Sequence, residues 1–190
     1  MFHLKGQKKK QKKSEASSWN WTIRVFLIAI ALSATLSLLS ESTLEGAGTA
    51  VAVLVLALFI LLGIVFDIIG VAVTAANEKP FHSMAAHREA GATEALGLLH
   101  NASHVSSFCN DVVGDICGIV SGSTAAVIVS RLQASIDLNS VLISVSMTAL
   151  ISGLTIGGKA IGKNIAISKS TAVVFWTGRF LHIFHRSSKR

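Results

Sequence analysis

Asp67, Asp111 and Asp115 stand inside stretches that are otherwise apolar enough to cross a membrane. A carboxylate at bilayer depth costs roughly 2.5–3.5 kcal/mol on insertion scales, so such groups face a partner, a water-filled cavity or an ion. Asp111 and Asp115 are one helical turn apart and share a helix face. Two carboxylates that close repel unless a cation or a proton intervenes. Asn110, Ser121 and Ser123 add amide and hydroxyl oxygens to the same stretch. A hard divalent cation takes oxygen ligands, and Asp67 from the preceding apolar stretch completes the candidate set. The competing reading is that the aspartates lie near the interface, where they reach water or cap backbone groups.

Other residue patterns carry less chemistry. Gly114, Gly118 and Gly122 recur at intervals of four, a doubled ridge of small residues that admits a neighbouring helix or a second copy. Gly153 and Gly157 form a shorter version. His82, His87, His100 and His104 cluster between two apolar stretches, and His100 and His104 have the i, i+4 spacing of metal ligands. Without a third ligand type beyond Cys109, they read as interfacial histidines that lend pH sensitivity. Cys109 and Cys117 read as small packing residues, with no disulfide framework or metal spacing. There is no nucleophile elbow, no phosphate-binding loop and no HExxH, so the chain reads as no enzyme and needs no organic cofactor.

The elements that must position these residues are membrane helices. The chain has 190 residues, 51% of them hydrophobic and only 14% charged, with mean hydropathy +0.61. Soluble domains carry about 25% charged residues. We expect an all-α polytopic protein with four spans, at about 21–39, 49–75, 106–130 and 140–157. Residues 78–104 read as a juxtamembrane pair of short amphipathic helices, and 171–190 as a basic interfacial helix and tail. Residues 1–18 read as a disordered basic tail.

The net charge of +7 does not point to nucleic acid, because the lysines and arginines flank the spans. That distribution predicts a multi-pass protein of the cell membrane with both termini cytoplasmic and Arg131 on the outer side. The partner is therefore the lipid bilayer, with anionic lipid as a further contact of the basic tails.

The order of motifs resembles the transmembrane domain of the cyclin-M/CorB/CorC family of magnesium transporters. The resemblance rests on Val73-Thr74-Ala75-Ala76, then Arg88-Glu89-Ala90-Gly91-Ala92 and Leu98-Leu99-His100-Asn101-Ala102, and on Gly158 and Lys163 after the last span. It covers about residues 49–184. The family's glutamates would fall on Val73 and Lys159, and its proline on Gly162, so Asp67, Asp111 and Asp115 are the acids this chain has instead. The chain would be a stand-alone short form, with a basic tail where the family's CBS pair follows. The resemblance implies transport of Mg²⁺, or of the related Co²⁺, by a homodimer. Two alternatives remain on the residues alone: a non-transporting scaffold or regulator of ion homeostasis, and proton-coupled transport with the paired aspartates as relay.

Overall fold

The computed structural model describes residues 2–135 and 140–187. The protein is all-α and polytopic; among the described residues there is no strand. Its helices are α1 (Phe2–Leu44), α2 (Thr49–Ala75), α3 (Lys79–Ala86), α4 (Ala92–His100), α5 (Ala102–Ser107), α6 (Asp115–Ser135), α7 (Ser140–Ser168) and α8 (Ser170–Ser187). A π-helical segment, Phe108–Gly114, joins α5 to α6.

Four helices are long and apolar enough to cross a membrane: Trp21–Leu44, Thr49–Ala75, Ala102–Gln133 and Ser144–Ser168. The second span matches its expected bounds. The fourth differs most. It continues through Gly157-Gly158 to Ser168, so Lys159 and Lys163 lie within the helix and not beyond it. The reason is packing. A Cβ at Gly158 would collide with Ile64 of α2, and one at Gly162 would come within 2.8 Å of Ile68. Bare glycine lets α7 lie directly on α2, where contact sustains a helix that propensity alone would interrupt.

The basic segment expected to be disordered is instead helical from Phe2, continuous with the first span. Lysine and glutamine are good helix formers, and the span already supplies the nucleus. Residues 136–139 of the expected outer loop and residues 188–190 of the tail lie outside the described residues.

Helix α2 is central. It meets the π-helical segment, α5, α6, α7 and α8. Three apolar clusters stack along it: Leu44, Leu56 and Ile128 at one end, Phe59, Val112 and Val120 in the middle, and Val73, Phe81 and Val174 at the other. Helix α1 lies at the edge, and its most apolar window holds no buried residue. Two polar ties hold it. Ser40 Oγ and Thr124 Oγ1 lie 3.2 Å apart in a buried pair. Arg131 donates from Nη1 to Ala47 O (2.7 Å) and from Nη2 to Leu44 O (2.9 Å). Leu44 O also accepts from Ala47 N at 3.3 Å, so the guanidinium clamps the turn that closes α1.

At the opposite end, α3 and α4 fold back beneath the bundle. Gly91 has φ +93°, a conformation that L side chains rarely adopt, and it precedes α4. Its backbone meets Gly178 of α8 so closely that a Cβ on either would fall 2.5 Å from backbone atoms of the other helix pair. Glu94 Oε1 and His182 Nδ1, 2.8 Å apart, add a polar link between α4 and α8.

Candidate functional site

On α2, Gly63, Asp67 and Gly70 fall on one face by helical spacing. The two glycines leave room for polar and sulfur groups of the third span. A Cβ at Gly63 would stand 3.3 Å from Cys117 Cβ, and one at Gly70 would collide with the Asn110 side chain. Between them, Asp67 faces α7. Its Oδ1 lies 3.9 Å from Lys159 Nζ, with Asp67 17% and Lys159 31% exposed at the side chain. A lysine within a span is as costly as an aspartate, and opposite charges on facing helices offset both costs.

Asn110 sits in the π-helical segment. A π turn admits an extra residue and weakens the regular ladder of backbone hydrogen bonds, and such turns recur at functional sites. Asn110 Nδ2 donates to Ser106 Oγ at 3.3 Å. Its Oδ1 is buried with no hydrogen-bond partner. An orphaned buried acceptor is unusual, because leaving it unpaired costs about 1–3 kcal/mol.

The three aspartates do not converge. Among the described residues, no three His, Cys, Asp or Glu side chains form a group that could hold a metal ion. Asp67 is taken by Lys159. Asp115 lines a cavity of about 480 Å³ with Lys159, Ser121, Thr155 and Gly114. Asp111 is exposed on the π turn and lines neither this cavity nor its neighbour. Asp111 and Asp115 are both exposed, one inside the π-helical segment and one at the residue that follows it.

The hydroxyls also separate. Ser121 is 4% exposed, lines the cavity, and its Oγ has no partner. Ser123 is exposed and donates to Val120 O at 3.0 Å. The expected glycine ridge is open: a Cβ at Gly118 or Gly122 would meet nothing within 4 Å, and the same holds for Gly153 and Gly157. Close approach uses Gly158 and Gly162 instead, one and five residues further along α7 than Gly157.

His104 stacks near Trp21, with ring centroids 4.7 Å apart at 47°, and His82 lies 3.9 Å from Glu78. Sequence reasoning missed Lys159 and Thr155. The available signal was a lone lysine flanked by Leu154, Ile156 and Ile161, read as lying past the span's end.

Within this geometry, the site offers one compensated ion pair, one further carboxylate at a cavity, and one orphaned amide oxygen. No family model, curated protein or solved structure matches this chain.

Proposed function

We propose that this membrane protein moves a small cation across the bilayer, with Asn110 on the π turn as the ion's first protein ligand. The observation that carries the reading is the buried, unpartnered Oδ1 of Asn110. An acceptor kept dry and unpaired is suited to a cation that arrives with its own charge. Ser106 holds the amide through Nδ2, and the unpaired oxygen lies against bare Gly70 of α2.

Mg²⁺ is the cargo that the family resemblance implies. It dehydrates reluctantly and binds through few protein oxygens with several waters retained, so one amide and a nearby carboxylate suffice. Asp115 and Asp111 supply negative charge near the path. Asp67 is neutralised by Lys159, and it joins the site only when that pair opens. The setting proposed is the cell membrane, with both termini cytoplasmic and a homodimer as the working assembly.

The test is Mg²⁺ entry into proteoliposomes with a trapped indicator. Losing one ligand oxygen to a charged partner costs on the order of 1.5–3 kcal/mol. Asn110→Ala should therefore raise the half-saturating Mg²⁺ concentration about tenfold or more. Wild-type vesicles that admit no divalent cation would sink the reading.

A second reading, a scaffold without transport, is favoured by the Asp67–Lys159 pair, because a satisfied ion pair also serves assembly. Under it, Asp67→Asn impairs assembly while ion flux is absent throughout.

A further inference from the structure

A second cavity, about 490 Å³, lies between α6 and α7 and shares Gly118, Ser121 and Thr155 with the one that holds Asp115 and Lys159. The two are therefore contiguous. The α6 wall carries Gly118, Gly122 and Ala125 beside the larger Val129 and Gln133, and a Cβ at either glycine would meet open space. The α7 wall is a row of hydroxyls, Ser144, Thr148, Ser152 and Thr155, spaced to fall on one helix face.

Three hydroxyls of the cleft have spent their hydrogens on their own helices. Thr148 donates to Ser144 O and Thr155 to Ile151 O, each at 2.8 Å. Across the cleft Ser130 donates to Val127 O, also at 2.8 Å. A hydroxyl whose hydrogen is spent on its own helix presents only lone pairs. Ser121 Oγ, nine-tenths buried at the junction and without a protein partner, needs something in the cleft. Charged groups within a membrane span face water or a partner. Water that hydrates Asp115 and Lys159 meets no apolar barrier at Ser121 and Thr155.

We propose that the α6–α7 cleft is an aqueous passage for small hydrated cations, joined at Ser121 and Thr155 to the charged cavity. The lone pairs that Thr148, Thr155 and Ser130 turn to the cleft favour cations over anions. The inference rests on the cation-transport reading for its cargo, and on the cleft's own geometry for its water.

The test uses the full chain in proteoliposomes with Cys109→Ala and Cys117→Ala. Single cysteines replace Thr148, Ser152 or Thr155 in the cleft, and Leu150 or Leu154, which are 59% exposed on the outer surface. The probe is a permanently charged methanethiosulfonate reagent. Because only hydrated thiols ionise and react, cleft positions should label at least about tenfold faster than the controls. Equal, slow labelling at all five positions overturns the passage. So does a disulfide between two copies at Ser152→Cys under mild oxidation, since a second copy would then fill the cleft. Labelling reports water whatever is transported. A wet cleft in vesicles that move no cation overturns the transport reading and the cation cargo with it, and leaves the cleft's water standing. A dry cleft overturns the passage alone and leaves the Asn110 site standing.

Discussion

Lys159 Nζ on α7 lies 3.9 Å from Asp67 Oδ1 on α2, which ties the fourth span to the second by charge. Neither group has another opposite charge within ion-pair distance among the described residues. Asp67→Asn therefore strands the ammonium, and Lys159→Met strands the carboxylate. We expect each single change to lower the melting temperature in detergent more than the double change does. The coupling in that cycle should be about 0.5–3 kcal/mol, and nearer the lower end because both side chains retain some exposure. Strictly additive losses would show that the pair holds nothing together.

Ser121 offers a cleaner test of an unsatisfied group. Its hydroxyl is buried and makes no hydrogen bond within the protein. Removing an orphaned polar atom forfeits no bond, so Ser121→Ala should leave stability within about 0.5 kcal/mol of wild type or raise it. Thermal unfolding in detergent gives the answer. A loss above about 1 kcal/mol would reveal a structural bond at this hydroxyl.

The glycines of α7 should behave in two classes. Gly162→Ala places a Cβ 2.8 Å from Ile68 Cγ1, and overpacking of that kind costs about 1–3 kcal/mol. Gly153→Ala meets open space and gains helix propensity, so stability should hold or rise by up to about 1 kcal/mol. Equal responses in a melting assay would mean that α7 does not lie on α2 through Gly162.

Gly91 combines two constraints, φ +93° and backbone atoms of Arg179 at 2.5 Å from a would-be Cβ. Gly91→Ala should release α8 from α4, at a cost of about 1–2 kcal/mol from the left-handed conformation alone and more from the collision. Limited proteolysis should then cut within α8. Gly97→Ala, which meets nothing within 4 Å on the same helix, is the control and should resist as wild type does. Cleavage that is equal in both variants would contradict docking through Gly91.

The helical class and the existence of four spans were legible because hydropathy and charge alone decide whether a segment partitions into a bilayer. Asp67, Asp111 and Asp115 stood out for the same reason: charge in an apolar frame needs no fold to be conspicuous. Asn110 was legible as an oxygen donor beside them. What composition could not convey was register. The π-helical segment at Phe108–Gly114 widens the turn that carries Asn110 and Asp111, and Asp115 lines the cavity while Asp111 does not. No local sequence rule marks that turn.

Which lysine meets which aspartate is likewise a tertiary matter. Gly158 and Gly162 bring α7 onto Ile64 and Ile68 of α2, and that contact carries Lys159 to Asp67. In the sequence the two are ninety-two positions apart (159 minus 67), and the double glycine at 157 and 158 looks like a helix end. The sequence by itself determined that this chain lies in a membrane as helices and that its intramembrane acids need partners. Only the packing of α2 against α7 and the π turn decided which partners they have. Burial cost is a property of a residue type, whereas pairing depends on the distance between helices that small residues allow to touch.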